Sequence, residues 1–425
     1  MIQTLKNAWR VEEIRKKLLF TLIILLIFRI GNAIPVPYVN TAALQSYFTS
    51  LQNTVLGLLN VMSGGAFSQA TIFALSIQPY INASIIIQLL CIAIPALERM
   101  SKEEGEEGKK KIASITRYST VAIALLQGFA YYMLIKNNGL LVTEARDSVW
   151  AAIVIVLTFT SGSALIMWLG EQITEYGIGN GISMILFAGI ISRFPVSIAS
   201  TISNVVSGSL KWWVAVLMYI GALAIIVLIV FVNDAERRIP VQYAKRVVGR
   251  KMYGGQSTHL PMKVNMSGVM PIIFAQSIAS LPATIAALTG HSNSAWARTN
   301  TVWYAVLYFE LIIFFAYFYS TIQFNPIEVA NNLKKNGGYI PGFRPGKPTS
   351  EFIQKVLNKI TLFGAIYLGI LATVPILISV FSKTANLTGL SLGGTSIIIV
   401  VGVALETIRA IHAQLLMRNY KGFLD

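Results

Sequence analysis

Charged residues are scarce in this sequence: only 12% of its 425 residues are Asp, Glu, Lys or Arg. Soluble globular domains carry about 25%, so the low value points to lipid rather than water as the solvent. Cysteine is scarcer still. Cys91 stands alone, which rules out an intramolecular disulfide, and within an apolar run it reads as a small buried hydrophobe. The three histidines, His259, His291 and His412, are far apart and form no H-E-x-x-H helix. The stretch GFRPGKPT is one residue short of a phosphate loop and has Pro348 where Ser or Thr is required. GIGNG at 177–181 fails the dinucleotide pattern and reads as a turn between two apolar runs. No nucleotide, metal or nucleophile constellation remains, so an intramembrane enzyme is a poor fit.

Hydrophobic residues, in contrast, make up 55% of the chain. Runs of about 17–25 apolar residues cross a bilayer, and ten fall near 18–34, 72–97, 112–135, 150–169, 183–202, 212–232, 269–289, 303–322, 360–381 and 394–411. Lys16 and Lys17 before LLFTLIILLIF imitate a signal peptide, but RIGNAIPVP offers no small-x-small cleavage site. The first run is therefore expected to be a retained helix, and the fold an all-α polytopic membrane protein.

Ten crossings divide the loops into two sets. One set, containing both termini, holds 27 Lys and Arg residues; the other holds six, with Arg29 at the end of span 1. The positive-inside rule places both termini in the cytoplasm. Two loops on that side, 233–268 and 323–359, are longer than topology needs and mix basic residues with Gly, Pro and aromatics. They are expected to dock a polyanion such as ribosomal RNA or an acidic protein surface. Five spans per half, 1–207 and 208–425, make the halves opposite in topology, the geometry of an inverted repeat.

Ionisable residues deep in the membrane would indicate a pump or coupled transporter. Arg29, Glu98, Arg99, Glu406 and Arg409 all lie near span ends, where snorkelling accounts for them. Glu310, about eight residues into span 8, is left without a role. Gln88, Gln127 and Gln276 put uncharged polar groups on three spans, suited to interhelical hydrogen bonds that can open.

Seven stretches, in order along the chain, carry a family resemblance: FALSIQPYINASIIIQLL, YGIGNGISMILFAGI, ERRIPVQYAKR, GGQSTHLPMKVNMSGVMPIIFA, PGFRPGKPT, LGGTSIIIVVGVALE and RNYKGF. Together they resemble the bacterial SecY family. The resemblance implies a protein-conducting channel in the cytoplasmic membrane: two inverted five-helix halves forming a clamshell, with a lateral gate between spans 2 and 3 and spans 7 and 8. It also implies passive conduction with no cofactor and no catalysis. SecA or the ribosome would dock on the cytoplasmic loops, SecE and SecG would be companion subunits, and signal sequences, nascent polypeptides and membrane lipids would be the other contacts.

By the same resemblance, a pore ring falls on Ile81, Ile85, Leu186, Ile273 and Ile399. Ile81 and Ile85 are four apart and share a helix face, which ordinary packing would also explain. A branched aliphatic collar offers ions no ligands and closes by dewetting. The segment 57–70, with Asn60, Met62, Ser63, Gly64, Gly65 and Phe67, is implied to be a plug, a short helix weakened by its glycines. Pro79 is expected to distort span 2. Gln88, Gln127 and Gln276 would be the polar part of the gate, and Arg237, Arg238, Lys245, Arg246, Arg250, Lys251 and Arg344 the docking cations. A secondary transporter of small solutes shares the inverted halves, but calls for liganding groups near the midplane.

Overall fold

A computed structural model describes residues 6, 8–51, 55–102, 105–146, 148–243, 246–248, 251–253, 257–282, 285, 301–381 and 388–421. Each expected crossing contains helix among its described residues. The first is α1 (Glu12–Gly31), followed by a short α2 (Thr41–Ser50) and α3 (Val55–Met62). Then come α4 (Gln78–Ala93), α5 (Pro95–Lys102), α6 (Gly105–Asn137) and α7 (Val149–Tyr176). The fifth crossing is divided into α8 (Gly181–Ile191) and α9 (Phe194–Val206), and α10 (Trp212–Asp234) follows.

The second half holds α11 (Met270–Ala279), α12 (Val302–Gln323), α13 (Pro326–Lys335), α14 (Lys347–Phe381) and α15 (Thr388–Lys421). Seven of the described helical segments are long and apolar enough to span a membrane by length and composition; α4 and α11 are shorter apolar helices.

Local chemistry sets where these helices begin. Asn180 Oδ1 accepts from the backbone N–H groups of Ile182 and Ser183, at 3.0 and 3.3 Å, so the GIGNG turn ends in a helix cap. Thr301 caps α12 through Tyr304, and Asn325 caps α13 through Ile327 and Glu328. Pro79 differs from expectation. It sits in the first turn of α4, where its missing N–H leaves no helical bond unmade, so it starts the helix instead of bending it. Residues 71–77 before it are irregular, so the second crossing is helical from Gln78 rather than from 72.

The loop at 233–268 is more ordered than a docking loop read from composition. β1 (Glu236–Tyr243) pairs antiparallel with β4 (Ser257–Lys263), in a register running from Glu236 opposite Lys263 to Gln242 opposite Ser257. β5 (Gly338–Tyr339), from the second long loop, joins β1 on its other edge. A separate hairpin pairs β2 (Arg246–Val248) with β3 (Lys251–Tyr253). Ile239, Val241 and Met262 of the sheet bury against Leu333 of α13 and Ile353 and Leu357 of α14. The two loops thus form one small domain on an extension of α14.

The main core lies between the halves. Residues of α4 and α8 meet residues of α11 and α15 in one continuous buried cluster. A second cluster joins α2 and the Phe67 segment to α6 and α7. Two ion pairs tie neighbouring helices: Arg117 Nε to Glu171 Oε1 at 3.0 Å between α6 and α7, and Arg409 Nη2 to Asp234 Oδ1 at 2.6 Å between α15 and α10. Arg409 also donates to the Asn233 carbonyl at 2.7 Å. It is therefore held at a helix C-terminus, where a cation is favoured, in addition to any snorkelling.

Candidate pore constriction and plug

Ile81 and Ile85 lie one turn apart on α4, Leu186 on α8, Ile273 on α11 and Ile399 on α15. All five are at most 3% exposed, and all belong to the cluster between the halves. Met62, the last residue of α3, belongs to the same cluster at 2% exposure. Four helices thus bring aliphatic side chains from distant parts of the sequence to one place, and α3 ends there.

The segment after Met62 is not a continuous helix. α3 stops at Met62, and a turn carries the chain into a single 3-10 turn at Phe67–Gln69. Gly64 and Gly65 have φ of +71° and +91°, a left-handed conformation that suits glycine and ends a helix. They terminate α3 rather than weaken it from within. The turn is closed by its own polar groups. Gly65 N–H donates to the Asn60 carbonyl at 2.8 Å, Ser68 N–H to Asn60 Oδ1 at 2.8 Å, and Phe67 N–H to Ser63 Oγ at 3.1 Å.

The seat of this segment is close-fitting. A Cβ on Gly189 of α8 would lie 2.6 Å from the Met62 carbonyl oxygen, so backbone meets backbone there. Asn32 Nδ2 donates to the Ser63 carbonyl at 3.4 Å, and Arg29 Nη1 donates to Ser192 Oγ at 3.0 Å beside Gly64. Arg193 sits at the break between α8 and α9. Its guanidinium lies 3.5 Å from where a Cβ on Gly65 would project. On the other side, the Phe67 ring stacks on Tyr131 at 4.2 Å and meets Phe48 edge-on at 5.3 Å. The Tyr131 hydroxyl donates to the Phe67 carbonyl. A small cavity of about 50 Å³ lies alongside, lined by Leu59, Phe67, Gln78, Gln127, Leu186 and Ser280 among others.

The three glutamines are not gathered into one cluster. Gln88 Nε2 donates within its own helix to Ser84 Oγ at 3.1 Å. Gln127 lines the cavity. Gln276 Nε2 instead reaches the end of α3 and donates to Met62 Sδ at 2.7 Å. Gln78 Nε2 approaches the same sulfur at 3.5 Å, and Ser277 Oγ donates to Gln78 Oε1 at 3.3 Å. Gln78 and Ser277 were not singled out in the sequence. Their signal was present, since Gln78 is a polar residue beside Pro79 at the start of an apolar helix. A thioether is a weak acceptor, so this knot is polar enough to fix position and weak enough to part.

Among the docking candidates, Arg237 and Arg238 are exposed on β1, and Arg238 Nε pairs with Glu236 Oε1 at 2.7 Å. Arg344 is exposed in the turn between β5 and α14, where its carbonyl accepts from Thr349 Oγ1 at 2.8 Å. Arg246 and Lys251 are placed by backbone on the β2–β3 hairpin. Lys245 and Arg250 lie outside the described residues.

A SecY family model matches residues 71–408. The chain is 45% identical over 442 residues to the protein translocase subunit SecY of Streptomyces scabiei, and the match covers all of both chains. A solved structure of a protein-conducting channel superposes with a TM-score of 0.66 at 17% identity, covering 94% of this chain and 92% of that one. Sec61 in a canine ribosome–channel complex from the endoplasmic reticulum gives 0.62 at 16% identity, with the same coverage of each chain. At such identity the two structures speak for the fold alone. Full-length similarity to the translocase subunit and the family match speak for descent: the chain belongs to the SecY family.

Proposed function

We propose that the chain is the channel subunit of a Sec translocase, passing unfolded polypeptides across the membrane and releasing hydrophobic helices sideways into it. The observation that carries this reading is the position of Met62. The end of a short, separately folded segment belongs to the same buried cluster as five aliphatic side chains drawn from four helices of both halves, and it contacts Gly189, Gln276 and Gln78 there. That is the arrangement of a stopper on an apolar constriction. An aliphatic collar gives ions no ligands and dewets when narrow, while its loose fit tolerates any side chain of an unfolded substrate.

The energetics suit a passive channel. About 0.8 kcal/mol per buried methylene gives a hydrophobic signal segment ample reason to leave for lipid once the halves part. Directional force comes from outside, from SecA or a translating ribosome docked on the β4–β1–β5 domain and the Arg344 turn. SecE and SecG complete the assembly, and the cation bias of the loops supports a cytoplasmic position for that domain and both termini in a bacterial cell. The chain itself performs no catalysis. The transporter alternative gains no support, because the polar groups between the halves bind each other and the Met62 sulfur rather than framing a charged site.

Site-specific crosslinking of a stalled secretory precursor tests the reading. A photoreactive residue at Ile85 or Ile273 should capture the precursor, whereas one at lipid-facing Leu217 should not. Equal capture at all three positions overturns the pore assignment.

A further inference from the structure

Glu310 is the one intramembrane carboxylate that the pore, plug and docking domain leave unused. It lies eight residues into α12, about 12 Å along the helix from Val302. The buried side chains Tyr304, Tyr308, Ile312 and Phe315 mark the inward stripe of α12. Glu310 is exposed on the opposite stripe, with Trp303, Val306, Leu307 and Phe314. Among the described residues it has no hydrogen bond or ion pair. A carboxylate side chain is only a few ångströms long and cannot reach either interface from this depth, so snorkelling does not relieve it. An ionisable group in hydrocarbon is costly and pairs with an opposite charge or with polar groups.

We propose that this outer stripe of α12 is the docking face for a transmembrane helix of another protein, one that presents a lysine or arginine at the depth of Glu310. Charge complementarity selects the occupant. A lipid headgroup does not lie at this depth. A second copy of this chain has no suitable cation: Arg117 and Arg409 are paired with Glu171 and Asp234, and Arg193 rests on the plug. The other Lys and Arg residues lie at span ends or in loops. The aromatic and aliphatic neighbours of Glu310 supply the apolar contact around the ion pair. This surface is separate from the pore and does not depend on the proposed conduction path.

The test uses the full-length protein in lipid vesicles, with a photoreactive residue at Val306. The probes are two single-span leucine–alanine peptides anchored by tryptophan at both ends, one with a lysine about 12 Å from the outer end and one with leucine there. The lysine peptide should be captured about five-fold more than the leucine peptide. Glu310→Gln, which keeps shape and removes charge, should equalise the two, and Glu310→Lys should favour a matching glutamate peptide. Equal capture by the unaltered protein, or a lysine preference that survives Glu310→Gln, overturns the proposal. Precursor translocation measured in the same vesicles reports separately on the channel reading and should be unchanged by Glu310→Gln.

Discussion

The Gln276 amide of α11 donates to the Met62 sulfur of the proposed plug at 2.7 Å, while Gln78 of α4 approaches that sulfur from the other half of the chain at 3.5 Å. One side chain of the plug is therefore held from both sides of the seam. If α4 and α11 separate, Met62 keeps at most one of these partners.

Replacing Met62 with leucine keeps the apolar volume and removes the acceptor. Polar contacts between membrane helices are worth about 0.6–2 kcal/mol. Met62→Leu should therefore raise resting ion leak, or export of a precursor with a defective signal, by about 3- to 30-fold. Gln276→Leu should act similarly, and the double variant should be no worse than the stronger single one, because both remove the same contact. Effects that multiply would show that Met62 and Gln276 act independently.

Gly189→Val attacks the seat from the other side. A Cβ at this position already meets the Met62 carbonyl at 2.6 Å, and valine adds two methyl groups. Overpacking of this kind costs about 1–3 kcal/mol, a load that displacing the plug would relieve. Vesicles holding this variant should leak halide continuously, while Gly221→Val, where nothing lies near the Cβ position, should stay tight.

Deleting Asn60–Ser68 removes the stopper and leaves the collar. Conductance in the absence of a precursor should rise, and the folded helices should keep their thermal stability. A tight channel after the deletion would take the plug out of the mechanism.

Polar substitution in the collar is a separate matter. Ile273→Asn or Ile399→Asn places an amide in a buried hydrophobic cluster, and at most 2% of either residue is exposed. The constriction should then hydrate, relaxing discrimination against weak signal sequences even with the plug intact. Measuring export of signal-defective precursors checks this.

Charge reversal at Arg344 probes docking without touching the pore. The side chain is exposed, and among the described residues only its carbonyl has a structural partner, Thr349 Oγ1. Arg344→Glu should weaken binding of SecA or the ribosome by about ten-fold or more, as expected for a cation facing an anionic surface, and should leave melting behaviour unchanged. Vesicle flotation or light scattering with each partner reads the difference.

The apolar runs were legible because span length and charge bias are set by the bilayer and act residue by residue. The break after Met62 was legible, since Ser63-Gly64-Gly65 interrupts a hydrophobic stretch. Its internal form was not, because whether two glycines soften a helix or end it depends on φ, and that is fixed by the approach of Gly189 and Ser192 from another span. Pro79 was misread for a similar reason: proline starts a helix or bends one according to where the first turn falls. The β4–β1–β5 sheet was hidden by Pro240 and Pro261, which sit within strands that pair Pro240 with His259 and Arg238 with Pro261. β5 covers only the Gln242–Tyr243 end of β1, so Pro240 lies where that edge is unpaired and its missing N–H costs no ladder bond. The polar knot around Met62 escaped notice because it joins residues about 200 positions apart, and no local pattern encodes that distance.

Phe67 gives the proposed plug a second attachment of a different kind. Its ring is held by Tyr131 and Phe48, both from the first half of the chain, and none of that contact crosses the seam. When the halves part, the aromatic end can stay moored while Met62 swings free. Reseating is then a short intramolecular search, with an effective local concentration in the millimolar range. The membrane would reseal on the timescale of loop motion, about nanoseconds to microseconds, without waiting for any other molecule to arrive.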